Sequence, residues 1–77
     1  MKYGTISKYD KKKIIIKMIH KEMKYSVFFI EDPDDNFLIN VLKCTTKSGT
    51  IISEALIIRS DIERRIEKLK YEGFEVV

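Results

Sequence analysis

The 77-residue chain reads as an α+β fold: an antiparallel β-meander of four to five strands, one C-terminal helix packed on one face, and a short terminal strand. Three features carry this expectation. Only residues 60–77 hold strong helix start and stop signals. Upstream lie runs rich in β-branched and aromatic residues, broken by turn-forming residues. The middle runs are apolar on both faces, so they need a cover, and the single helix supplies only one.

The helix is expected over 60–73. Ser60 and Glu63 have capping-box spacing, in which the serine oxygen accepts from the Glu63 N–H and the glutamate reaches back. Asp61 and Glu63 sit near the positive end of the helix dipole, and Lys68 and Lys70 near the negative end. Gly73 suits the C′ position, which makes Leu69 and Phe74 the apolar pair of a Schellman motif. Ile62, Ile66 and Leu69 fall on one stripe. Arg64, Glu67, Lys68 and Tyr71 point away from it and form an outer face of mixed charge. Residues 74–77 follow as a short strand. A single longer helix over 53–71 is the alternative, but it would bury the capping box and expose Leu56 and Ile57.

Taken in order, residues 3–8 suggest a short edge strand and Tyr9-Asp10-Lys11 a turn. Residues 12–20 suggest a strand with Ile14, Ile16, Met18 and His20 on one face and Lys13, Ile15, Lys17 and Ile19 on the other. Lys21 to Lys24 make a turn without Gly or Pro. Residues 25–31 are a strand, and Asp32-Pro33-Asp34-Asp35-Asn36 is a strong turn signal, because proline pre-sets φ and Asx side chains bond local backbone. Strands over 37–46 and 50–59 flank Lys47-Ser48-Gly49, which fits a hairpin with glycine in the left-handed region. On the last strand, Ile52, Leu56 and Ile58 are assigned to one face and Ile51, Ala55 and Ile57 to the other. A half-exposed antiparallel sheet should alternate apolar with polar. These strands do not, so the second face is expected to curl closed or to meet another subunit. A homodimer is the expected assembly.

The length fits a single domain over 1–77, and a domain this small buries only roughly 60% of its unfolded surface. One cysteine rules out an intrachain disulfide, and with one histidine it leaves too few ligands for a structural zinc site. The absence of a disulfide framework fits a reducing interior, and no apolar run is long enough to span a membrane, so an intracellular, cytoplasmic protein is expected. Ile and Lys supply about a third of the residues and Gln is absent, which suits a thermophilic source or an AT-rich genome, including that of an archaeal virus.

Asp32-x-Asp34-x-Asn36 resembles the first half of a calcium loop, but Phe37 stands where glycine is needed and Lys43 where glutamate is needed. His20 and Cys44 lie two strands apart in a meander, roughly 10 Å, too far for a thiolate–imidazole pair. The three glycines are isolated, which excludes a glycine-rich phosphate loop. No enzyme, cofactor or metal is expected.

Charge is the remaining lead. The net charge is +3, yet residues 1–24 hold eight lysines against Asp10 and Glu22, a local +6, while residues 25–58 carry −3. Lys8, Lys11, Lys12, Lys13 and Lys17, with Tyr9 among them, form the candidate nucleic-acid-binding set. Lysines contact phosphates and aromatics stack on bases, so DNA or RNA can be held without reading sequence. The same lysines also suit protection of an edge strand. The function expected first is thus a small non-enzymatic nucleic-acid-binding or regulatory protein. The alternative is a protein–protein interaction module, such as a viral or accessory factor, acting through an uncovered sheet face or edge strand.

Overall fold

A computed structural model describes residues 4–77 as one antiparallel sheet with a single α-helix beneath it. The strands are β1 (Ile14–His20), β2 (Tyr25–Glu31), β3 (Leu38–Thr45), β4 (Ile51–Ile58) and β5 (Glu75–Val76), and the helix is α1 (Ile62–Tyr71). Their spatial order is β4-β3-β2-β1-β5. The α+β meander and its terminal strand are therefore present, and residues 53–58 are strand rather than the start of a longer helix.

The turns explain the meander. In 32–37, the Asp34 N–H donates to Asp32 Oδ2 at 3.1 Å and the Phe37 N–H to Asp35 Oδ1 at 2.8 Å. Asn40 Nδ2 donates to the other Asp32 oxygen, so these acids are spent on holding the turn. Gly49 takes φ +71°, as the β3–β4 hairpin requires. The loop itself is one residue longer than expected, since the Thr45 N–H pairs with the Thr50 carbonyl at 2.9 Å across 46–49. The β1–β2 turn lacks glycine, and Lys24 takes φ +58° in its place. His20 makes this turn workable: its Nδ1 accepts from the Met23 N–H at 3.1 Å, and its ring meets Phe74 edge-on at 5.2 Å. His20 is thus a structural residue rather than an ordinary surface histidine.

The helix C-terminus is a full Schellman motif. The Phe74 N–H reaches the Leu69 carbonyl at 2.9 Å, and the Gly73 N–H reaches Lys70 at 3.0 Å. Leu69 and Phe74 are both buried in the same core. The N-terminus departs from expectation. Arg59–Asp61 forms a 3-10 turn, so Ser60 lies inside that turn, Asp61 takes the N-cap position, and no side chain caps the helix. Arg59 anchors this entry differently, through Glu31 at 2.7 Å and the Asn36 carbonyl at 2.8 Å.

The helix-side core joins Met18, Val27, Phe29, Ile39 and Val41 of the sheet to Leu69 and Phe74, with Ile62 and Ile66 packed against it. The expected stripe of Ile62, Ile66 and Leu69 is the face that docks. A ten-residue helix is about 15 Å long. Four strands at about 4.8 Å spacing are about 14 Å wide. The helix therefore carries the chain from the β4 edge to the β1 edge, where Val76 pairs with Met18.

The second face has its own core of Ile30, Leu42, Cys44 and Ile51. Its cover comes from the chain's beginning, with Ile6 and Tyr9 packed on it. The anticipated strand over 3–8 is instead a 3-10 turn at Ile6–Lys8, joined to the sheet by one bridge, Thr5 to Thr50. Tyr3 lies outside the described residues. Lys11–Lys13 make a second 3-10 turn, capped by Asp10, so β1 begins at Ile14 rather than Lys12. Curling or a second subunit is therefore not needed to shelter the middle of this face.

Two bulges also change the assignments of side chains to faces. Ile15 is the extra residue in β1, which sends Ile14 to the second face. Ile52 is the extra residue in β4, which sends Ile51 to that face as well.

Candidate nucleic-acid interface

The six residues singled out by charge do not form one patch. Lys11, Lys12 and Lys13 occupy a single 3-10 turn. With three residues per turn, successive side chains fan out by about 120°. The turn thus sends Lys11 and Lys13 to two different grooves.

The first groove is lined by Lys11 and Lys17 with Ile6, Ser7, Ile14 and Phe28. Lys17 stands directly opposite Phe28 in the β1–β2 register, and its Nζ is 5.7 Å from the ring centroid. Phe28 lies on the second sheet face because β2 alternates, with Val27 and Phe29 turned to the helix. The N-terminal segment stops short of covering it, and Phe28 remains half-buried. The groove therefore offers an aromatic ring, apolar walls and two cations.

The second groove contains Lys8, Tyr9 and Lys13 together with Asp10, Glu31 and Pro33. Lys8 Nζ lies 5.4 Å from the Tyr9 ring centroid. Two carboxylates here oppose an anionic ligand. Tyr9 is mainly a cover for the second core, and burial, then Glu54 and Cys44, push its hydroxyl pKa upward. Lys12 lines neither groove. Of the six residues, Lys11 and Lys17 thus share a groove with Phe28 and without a carboxylate. Charge alone did not identify Phe28. Alternation in residues 25–31 separates it from Val27 and Phe29, which was the available signal.

Cys44 is fully buried on the second face, while His20 contacts Phe74 on the helix side, so the two cannot pair. Burial pushes the Cys44 thiol from its ordinary 9.0 up to about 11. The folded state then holds its proton more tightly than the unfolded state. Stability from this group is complete below the unfolded pKa near 9 and is lost as pH rises through about 11. A two-unit shift corresponds to about 3 kcal/mol. Urea unfolding of wild type and Cys44→Ala across pH 8–11.5 should show the wild type losing that amount relative to the variant. A pH-independent difference between the two proteins would contradict this.

Among the described residues, no group of three or more His, Cys, Asp or Glu side chains is placed to hold a metal ion. No helix among them is long and apolar enough to cross a membrane. No protein-family model, curated protein or solved structure matches the chain at a significant level.

Proposed function

We propose that the protein is a non-enzymatic binder of single-stranded nucleic acid, with Lys11 and Lys17 on phosphates and Phe28 as the stacking platform. The observation that carries this reading is the groove that brings an aromatic ring together with two lysines and is lined by no carboxylate. Bases of every kind stack on such a ring, and the lysines follow the backbone, so binding is tolerant of sequence. Lys12 and Lys13 add attraction at longer range.

The test is fluorescence titration of single-stranded DNA and RNA oligonucleotides at several salt concentrations. Each phosphate contact on a single strand contributes about 0.7 to the slope of log affinity against log salt. Lys11→Gln with Lys17→Gln should therefore flatten the slope by about 1.4. Phe28→Leu keeps the apolar contact, yet should weaken binding by about tenfold, within the range for a lost stacked base. Absence of binding at low salt would end this reading.

A second reading is favoured by the outer edge of β4. The Arg59 N–H bonds inward to the Phe37 carbonyl at 2.7 Å, so by antiparallel alternation Leu56 and Ile58 aim their backbone groups outward. Their side chains are 57% and 51% exposed. Residues 54–58 carry neither lysine nor proline, the usual protection of an edge. A second copy pairing antiparallel about Ile57 sets Leu56 of each copy opposite Ile58 of the other. Light scattering at micromolar concentration should then report a homodimer that Leu56→Lys returns to monomer. A wild-type monomer would exclude this pairing.

A further inference from the structure

We infer that the cleft between α1 and the β3–β4 edge is a binding site for a phosphate dianion, carried by a small ligand with an apolar portion. It lies on the helix side of the sheet, and it uses none of the residues assigned above to nucleic acid.

Three elements build it. Lys43 of β3 stands opposite Ser53 of β4 in the register. Arg65 and Lys68 come from α1, one turn apart, where neighbouring side chains lie about 5–6 Å apart at Cβ. These four residues and Glu72 line the rim, and Val41, Ala55 and Leu69 are among the apolar residues below. An adjoining recess repeats Arg65 and Lys68 and adds Arg64 and Asp61. Positive charge therefore exceeds negative charge in both recesses.

The cations are positioned but not neutralised. Lys43 is half-buried, with its Nζ 5.8 Å from the Tyr25 ring centroid and 5.7 Å from that of Phe74. Two aromatic faces favour the charged ammonium and hold it at the cleft. Among the described residues, neither Glu72 nor Asp61 forms an ion pair with Lys43, Arg65 or Lys68. Three cations share this cleft with one carboxylate, and an anion placed among them is attracted by all three. Arginine offers the fork geometry that phosphate oxygens accept, and the Ser53 hydroxyl adds a donor. The helix C-terminus does not oppose the anion strongly, because its Lys68, Leu69 and Lys70 carbonyls already accept from the Glu72, Gly73 and Phe74 N–H groups.

The helix sequence alone conceals this site. Its acids and bases balance, but Glu63 and Glu67 line neither recess. The fold sorts the charges by bringing Arg65 and Lys68 against Lys43, more than twenty residues away in sequence.

The experiment is a set of amide NMR titrations of the full chain with inorganic phosphate, phenyl phosphate and, at matched ionic strength, sodium chloride. Saturable shifts centred on Lys43, Ser53, Arg65 and Lys68 are expected with both phosphates, with phenyl phosphate the tighter of the two. Equal affinity of the two would assign the site to free phosphate and overturn the apolar part of the inference. The Arg65→Gln, Lys68→Gln double variant should lose about tenfold in affinity, equivalent to about 1.4 kcal/mol. Lys70→Gln, which removes a charge outside the cleft, should bind as wild type does. Shifts that chloride reproduces, or that centre on Lys11 to Lys17, would overturn the inference. Lys11→Gln with Lys17→Gln should leave the phosphate titration unchanged, so failure of oligonucleotide binding and failure of this site are separately visible.

Discussion

Phe29→Ala should lower the stability of the protein by about 3–5 kcal/mol, the usual cost of emptying a buried phenylalanine site. Phe29 is the largest of the fully buried side chains and sits in the central β2 strand, between Ile16 of β1 and Val41 of β3. Its ring joins the sheet to the core that contains Leu69 and Phe74. Stabilities of about 0.05–0.15 kcal/mol per residue imply roughly 4–12 kcal/mol for the whole chain. The substitution therefore consumes a large part of the margin. Urea unfolding followed by far-UV circular dichroism should show the midpoint falling steeply. Phe29→Leu, which leaves a smaller void, should cost less. A change below 1 kcal/mol for Phe29→Ala would mean that the helix–sheet core is not the main source of stability.

Gly73→Ala should cost about 3 kcal/mol, more than its single added methyl suggests. The backbone there has φ +108°, a conformation essentially reserved to glycine. A Cβ at this position would meet His20 Nε2 at 2.5 Å and Cδ2 at 2.9 Å. The His20 ring cannot move freely, because its Nδ1 holds the Met23 N–H and its ring contacts Phe74. Relief would have to loosen the β1–β2 turn or the end of α1. The expected result is a lowered thermal midpoint, with His20 ring and Met23 amide resonances both displaced. Gly73→Ala should cost less in a His20→Ala background than in the wild type, since there the clash is gone and only the strain at residue 73 is added. Equal stability of Gly73→Ala and wild type would refute both the strain and the contact.

These two sites mark what the sequence made legible. Gly73 and the Leu69–Phe74 pair were readable because a Schellman motif needs particular residues at fixed offsets. The Asp32 turn was readable because its side chains bond their own backbone. The bulges were not, for a physical reason. They fall in Ile14-Ile15-Ile16 and Ile51-Ile52, where identical side chains give the alternation no phase. Ser60 and Glu63 carry a capping-box spacing, but β4 delivers the chain through a 3-10 turn that uses Ser60 internally. The cover of the second face was missed because Ile6 and Tyr9 act as separate anchors in irregular backbone, without the periodicity of a strand or helix. The basic third was recognisable as charge, yet a 3-10 turn scatters consecutive lysines. What sets Lys17 against Phe28 is the register of β1 against β2, and the 3-10 turn before β1 brings Lys11 to the same groove.

The helix that spans the width of the sheet has a consequence for the order in which the protein opens. The hairpins β1–β2, β2–β3 and β3–β4 join neighbours in sequence. By contrast, β5 can reach β1 only after α1 has crossed beneath them. Its anchorage is slight: Val76 opposite Met18, Glu75 opposite Ile19, and the Val77 N–H on the Lys17 carbonyl at 3.0 Å. The last residues should therefore detach in a fluctuation that leaves the remaining sheet intact. In native-state hydrogen exchange, the Val77 amide should open at a far lower free energy than those of Phe29 or Val41. A transient gap beside β1 would then form and heal many times in the lifetime of one folded molecule, with the helix acting as the tether that keeps the detached strand within reach.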